Sequence, residues 1–336
     1  MLISACILGC AGPRLAAEER AFFRKARPFG LILFKRNIEN HAQVIELVKM
    51  FRDDVGRTDA PVLIDQEGGR VQRLEPPLWP QFPPAAHFGA LYARDRAKGL
   101  AAARLGARLI AAELAALGIN VNCMPVADLR RPEGHDVIGD RAYGAEPENV
   151  SRLARAAAEG LLEGGVLPVI KHMPGHGRAR ADSHQALPVV DAPLAELDRT
   201  DFEPFRALRD LPIAMTAHVV YAAIDRTQAA TISPAVVGEV IRGRIGFDGL
   251  LVTDDLSMQA LSGRLGARAA AAFRAGCDLA LHCNGRLSEM QEVAGASPPL
   301  AGPAERRAGA ALSRLQGPSP VDVAEARARF SAMIAA

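Results

Sequence analysis

The chain has 336 residues, and its 40 Lys and Arg against 38 Asp and Glu leave a formal net charge of +2. No block of five like charges disturbs that balance, so neither nucleic acid nor an acidic membrane surface is indicated as a partner. With 49% apolar and 23% charged residues, it reads as globular. No run approaches the ~18 apolar residues of a membrane span, and the expected partner is a small molecule or a glycan. Cys6, Cys10, Cys123, Cys277 and Cys283 form no C-x-x-C pair and mostly fall in or beside apolar runs, which predicts reduced core thiols in a cytoplasmic protein. Ile7-Leu-Gly-Cys10 mimics a lipoprotein cleavage box. It lacks a preceding Lys or Arg and a long apolar stretch, so no such signal is expected.

In chain order, short apolar runs predict strands at 3–9, 31–34, 62–64, 121–124, 166–170, 213–217, 250–253 and 278–282. Between and after them, Ala-, Leu-, Arg- and Glu-rich segments with 3.6-residue periodicity predict helices at 15–26, 40–53, 91–118, 148–164, 194–210, 234–244, 259–275 and 303–315. Eight alternating units argue for an α/β fold of the (β/α)8 TIM-barrel type more than for an open sheet. We expect one domain over 1–336, with the C-terminal helices from about 303 packed on the barrel. Ser233-Pro234 marks a helix start, and Gly118 and Gly276 mark helix ends. The proline-rich stretch 76–84, with the one tryptophan, is expected to form a stiff loop over the barrel mouth.

In such a barrel the carboxyl ends of the strands carry the chemistry, and several of these ends are polar here. Strand three runs into Asp65-Gln-Glu-Gly-Gly-Arg-Val-Gln-Arg73, strand four supplies Asn122 and Asp128, and the loop beyond it holds Arg141. Strand five ends in Lys171 and His172, strand six in His218, and strand seven in Asp254 and Asp255. Asp65, Arg73, Arg141 and Lys171 suit a polyhydroxylated ligand, because a carboxylate accepts from sugar hydroxyls while Arg and Lys donate to ring substituents. The bland reading is a salt-bridge network, in which Asp65 and Arg73 simply pair. His172 and His176 do not form a helical H-x-x-x-H pair, since Pro174 and Gly175 interrupt it, so no metal is expected. Asp182 and His184, one residue apart, would let a carboxylate orient an imidazole that gives and takes a proton.

These blocks resemble those of the single-domain bacterial β-N-acetylhexosaminidases of glycoside hydrolase family three, in the same order. The resemblance rests on 30–37, on Asp65 to Arg73, and on Lys171-His-Met-Pro-Gly-His-Gly177 with Asp182-Ser-His184. Met215-Thr-Ala-His218 and Thr253-Asp-Asp-Leu-Ser-Met258 complete it. Met173 departs from the family pattern, in which an aromatic is usual, and 178–181 is more basic than is common.

The resemblance implies a retaining exo-β-N-acetylglucosaminidase acting without cofactor on GlcNAc-anhydroMurNAc muropeptides of recycled peptidoglycan, as a cytoplasmic monomer. By position it makes Asp254 the nucleophile, His184 the general acid/base and Asp182 its dyad partner. Asp65, Arg73, Arg141, Lys171 and His172 fall on sugar-contacting positions. Strand geometry alone does not choose Asp254 over Asp255. The alternatives are a phosphorylase on the same scaffold, a metal-dependent barrel hydrolase and a noncatalytic sugar-binding barrel.

Overall fold

Residues 2–183 and 185–335 are described by a computed structural model. Its strands are short and apolar on both faces, as parallel strands with water on neither side must be. They are β1 (Ser4–Leu8), β2 (Pro28–Leu33), β3 (Val62–Ile64), β4 (Val121–Asn122), β5 (Leu167–Met173), β6 (Ile213–Thr216), β7 (Leu250–Asp255) and β8 (Leu279–His282). Each pairs in parallel with the next, and β8 closes on β1 through Cys6↔Ala280 and Leu8↔His282. The predicted (β/α)8 barrel is the fold observed.

Two-residue alternation sorts the side chains into two cores. Ile7, Leu63, Val121, Val169, Met215, Val252 and Leu281 fill the barrel interior. Leu8, Val62, Ile64, Ile170, Ala214, Leu251 and Ala280 point outward against the helices. Each of the buried Val, Leu, Ile and Met side chains among them contributes about 1.5–3 kcal/mol over exposure. All five cysteines are buried and free. The helix Gly302–Leu312 adds Ala308 and Ala311 to the interior cluster, covering the end of the barrel where the strands begin.

Helix ends follow local chemistry. Gly118 and Gly276 have φ of 77° and 109°, a left-handed backbone that glycine adopts without strain. The expected helix at 91–118 is instead two, Ala85–Arg94 and Arg96–Ala116. They break at Asp95, whose carboxylate caps the Lys98 N–H at 3.0 Å. The expected helix at 194–210 is likewise two short ones, Leu194–Arg199 and Glu203–Ala207, because Asp201 turns its side chain to Thr200 and Arg178. The segment at 234–244 winds as a π-helix over Val236–Arg244. The helix expected from 259 begins only at Leu265.

Helices Leu287–Ala296 and Val323–Ile334 escaped the periodicity reading. The latter sets Phe330 within 6.1 Å of Phe82 and 6.2 Å of Phe88, ring centroid to centroid. It packs so closely on Gly106 that a Cβ there would lie 2.8 Å from the Phe330 ring.

The proline-rich stretch does not cover the mouth. Trp79 is 4% exposed and stacks on His41 at 4.4 Å, and Phe82 is equally buried. The segment is an anchor whose aromatics sit in the outer core, because burying two large rings outweighs leaving them over solvent.

Candidate active site

β3 ends at Ile64, and the chain then makes a hairpin, Gln66–Gly68 against Val71–Gln72. Asn122 at the end of β4 braces its start, accepting the Gln66 N–H (3.0 Å) and donating to the Gln66 carbonyl (2.9 Å). Alternation along 65–67 gives Asp65 and Glu67 a common partner. Lys171, on β5, places its Nζ 2.9 Å from Asp65 and 2.7 Å from Glu67. Arg73 donates to Asp65 at 3.0 Å, and Arg141 donates to both Glu67 oxygens at 2.8 and 2.9 Å. Bidentate pairing of this kind fixes position as well as charge.

Burial alone would raise both carboxyls. Lys171 and Arg73 outweigh it at Asp65, which is held well below the usual carboxylate range. Arg141 and Lys171 do the same for Glu67, at about 2. Burial would lower Lys171 and Arg141, but Asp65 and Glu67 raise Lys171, and Glu67 raises Arg141. All four groups are ionised at neutral pH.

Beside this network, β5 continues into Lys171-His172-Met173-Pro174, with the 171–172 and 173–174 peptide bonds cis. The fully buried Asp128 gathers the segment: it accepts from His172 N–H at 3.2 Å, meets His172 Nδ1 at 2.7 Å and accepts from His176 N–H at 2.6 Å. His176 in turn reaches Ser183 Oγ from Nε2 at 3.2 Å, and the Ser183 carbonyl accepts the Ala260 N–H at 3.1 Å. Burial, reinforced by the neighbouring His172, pushes the His176 imidazole down to about 4.

β7 supplies the remaining carboxylates. Asp255 N–H donates to Asp254 Oδ1 at 2.8 Å. The Asp255 carboxylate is committed to the following turn, accepting from Ser257 N–H (3.0 Å), Ser257 Oγ (2.5 Å) and Cys283 N–H (3.1 Å). His218 lies wholly buried, its Nδ1 2.7 Å from Thr231 Oγ1 and its Nε2 2.9 Å from the Asp255 carbonyl.

A cavity of about 190 Å³ opens at this end of the barrel, where Asp65, Arg73, Arg141, Lys171, His172 and Asp254 line one wall-to-wall space. Ile32, Phe34, Met215, Met258 and Leu281 supply apolar surface, and Arg73 lies over the Phe34 ring at 5.1 Å. Six of the eight residues to which the resemblance gives roles therefore meet, with Asp255 beside them. Asp182 does not line the cavity. Its backbone carbonyl accepts from Gln185 and Ala186 at 2.9 and 3.0 Å. His184 lies outside the described residues.

Glu67 has no role among the residues expected from the sequence, though its two-residue spacing from Asp65 is a usable signal. The same holds for Arg70, which bonds Asp140 and the carbonyls of 136–138 and so fastens that loop beside the cavity. Among the described residues, no group of three or more His, Cys, Asp or Glu is arranged to hold a metal ion. No helix among them is long and apolar enough to cross a membrane.

Fold and cavity together define a barrel enzyme built to handle a small polar molecule at its strand ends. Residues 4–308 match the N-terminal domain of glycosyl hydrolase family 3. The chain is 41% identical over 288 residues to a β-hexosaminidase of Alkalilimnicola ehrlichii, spanning 84% of this chain and 82% of that one. It is also 41% identical over 307 residues to a β-hexosaminidase of Tolumonas auensis, spanning 89% and 88%. Its structure superposes on NagZ of Neisseria gonorrhoeae in complex with N-trifluoroacetyl-D-glucosamine with a TM-score of 0.86 at 32% identity, covering 100% of this chain and 97% of that one. The chain belongs to glycosyl hydrolase family 3, as a glycoside hydrolase of the β-hexosaminidase type.

Proposed function

We propose that the protein is a retaining exo-β-N-acetylglucosaminidase that works as a cytoplasmic monomer without cofactor. Its substrate would be the GlcNAc-anhydroMurNAc muropeptides of peptidoglycan turnover, from which it removes the terminal sugar. The observation that carries this reading is the meeting of Asp254 with Asp65, Arg73, Arg141, Lys171 and His172 around one cavity of about 190 Å³. That is smaller than the several hundred Å³ of sites for drug-sized ligands, and suits a single sugar ring entering from a chain end.

In this reading Asp254 attacks the anomeric carbon while protonated His184, oriented by Asp182, gives its proton to the leaving oxygen. Water, deprotonated by the now neutral His184, then releases the sugar from the aspartyl ester with net retention. Asp65 and the cations around it bind ring hydroxyls and the acetamido carbonyl. The loop bearing Asp182 and His184 closes on bound sugar, hinging at the glycines beside His176. A neutral imidazole does not repel an anionic acceptor, which makes phosphorolysis the competing outcome. Against it, each cation lining the cavity among the described residues already has a carboxylate partner: Arg70 with Asp140, Arg73 with Asp65, Arg141 with Glu67, and Lys171 with both Asp65 and Glu67.

The test is to incubate the protein with an aryl N-acetyl-β-glucosaminide, with and without phosphate, and to follow the first-formed anomer by NMR. Release of the β-anomer of the free sugar supports the proposal. A sugar phosphate would move the assignment to phosphorolysis, and an α-anomer or no turnover would refute it.

A further inference from the structure

Resting on the reading of Asp254 as nucleophile, the geometry points to Thr231, acting with Thr216 and His218, as a positioning residue that holds the Asp254–Asp255 backbone through a closed ring of hydrogen bonds. The ring starts at the Asp254 N–H, which donates to Thr216 Oγ1 at 3.3 Å. Thr216 Oγ1 is 2.7 Å from Thr231 Oγ1, and Thr231 Oγ1 is 2.7 Å from His218 Nδ1. His218 Nε2 returns to the Asp255 carbonyl at 2.9 Å. Thr216, His218 and Thr231 are each 0% exposed.

Chemistry fixes the direction of every bond. A carbonyl only accepts, so Nε2 of His218 carries a proton. Burial lowers His218 from its ordinary value, and a neutral ring protonated at Nε2 leaves Nδ1 bare. Nδ1 therefore takes the Thr231 hydroxyl proton, leaving the 3.1 Å approach of Thr231 Oγ1 to the Ala217 carbonyl without it. Thr231, having given its one proton, accepts from Thr216, and Thr216 accepts from Asp254 N–H. Donors and acceptors match once around the ring, in one sense only.

The ring grips the two-residue unit at both ends, by the N–H of Asp254 and the C=O of Asp255. In the middle of that unit the Asp255 N–H holds the Asp254 carboxylate at 2.8 Å. Thr231 lies in the turn Ala230–Ile232, well outside the barrel strands. Neither Thr231, Thr216 nor His218 lines the cavity, so these groups act through Asp254 and not on the sugar. At such depth an unmatched polar group is costly, and the ring matches both threonine hydroxyls and both imidazole nitrogens.

The test compares Thr231→Val, which keeps the shape and removes the hydroxyl, with Thr231→Ser, which restores it, on an aryl N-acetyl-β-glucosaminide. Small displacements of a reacting group cost orders of magnitude, so Thr231→Val should lower kcat ~10- to 100-fold with KM within about twofold, and Thr231→Ser should return kcat to within about threefold of wild type. Inhibition by free N-acetylglucosamine should be unchanged in all three proteins. Wild-type kcat in Thr231→Val, or failure of Thr231→Ser to recover it, overturns the proposal. Should Thr231→Val not fold, Thr216→Val is read by the same kcat and KM criteria. An Asp254→Ala variant runs alongside: wild-type turnover there removes the nucleophile reading and this proposal with it. A dead Asp254→Ala beside a fully active Thr231→Val removes the positioning role alone.

Discussion

Lys171 Nζ sits between two carboxylates, 2.9 Å from Asp65 and 2.7 Å from Glu67, with its side chain only 3% exposed. It is the hinge of the site's charge balance. Arg73 and Arg141 each serve one of these carboxylates, whereas Lys171 serves both. Replacing it with Met would leave two buried like charges with one cation each. We predict that Lys171→Met loses about 3–5 kcal/mol of stability, the usual cost of breaking a buried ion pair. Its acid sensitivity should shift as well. Glu67 titrates at about 2 in the folded protein, below its ordinary 4.5, so its stabilisation is complete above that ordinary value and is lost as pH falls towards 2. Without Lys171 the folded-state value of Glu67 rises towards 4.5, so the window narrows from its lower end and this carboxylate contributes less acid-dependent stability. Urea titrations at stepped pH check this, and unchanged midpoints would contradict it.

The role proposed for His184 makes a kinetic prediction. His184→Ala should slow glycosides with poor leaving groups far more than those with activated aryl groups, because only the former need a proton during bond cleavage. Equal loss for both would remove the acid role while leaving Asp254 untouched.

His176 offers a pH test of stability. Burial and the adjacent His172 hold it at about 4 against an ordinary 6.5. The unfolded chain therefore binds the proton first as pH drops. The stability from this group is fully present above 6.5 and is lost as pH falls from there through about 4, at no more than about 1.4 kcal/mol per pH unit. Among the described residues its Nδ1 has no hydrogen-bond partner, so a second ring proton would find no acceptor among them. His176→Gln should flatten the slope relative to wild type over that window. Denaturant unfolding at pH 7, 6, 5 and 4 measures the difference, and identical slopes would show that His176 is not the group responsible.

Trp79 separates anchoring from lid function. It stacks on His41 and is buried at 4% exposure, and no residue of 76–84 lines the cavity. Trp79→Ala should cost about 3–5 kcal/mol, as truncation of a buried aromatic does. The folded fraction should keep its kcat and KM. A kcat that falls while the melting temperature holds would restore the lid reading.

Much of the barrel was legible because a buried parallel strand must be apolar on both faces, and eight such runs stand apart in the sequence. Asp65, Lys171, His172 and the Asp254–Asp255 pair were legible from their place at strand ends, whereas Arg73 and Arg141 reach the cavity from the hairpin and loop beyond the strands. Less legible were the breaks at Asp95 and Asp201, where a single side chain's local hydrogen bond overrides continuous helical periodicity. The helix carrying Phe330 was also missed, since its few apolar residues make sense only against Phe82, Phe88 and Gly106.

By itself, the sequence determined the strand count, the polar strand ends and the family resemblance, all of which are encoded in runs of neighbouring residues. Tertiary structure alone decided that Glu67 shares Lys171 with Asp65, that Asp128 gathers His172 and His176, and that Thr231 joins His218 behind Asp254. The reason is physical. A buried charge or hydroxyl is stabilised by whichever partner the closed barrel brings within about 3 Å, and that partner stands far away along the chain.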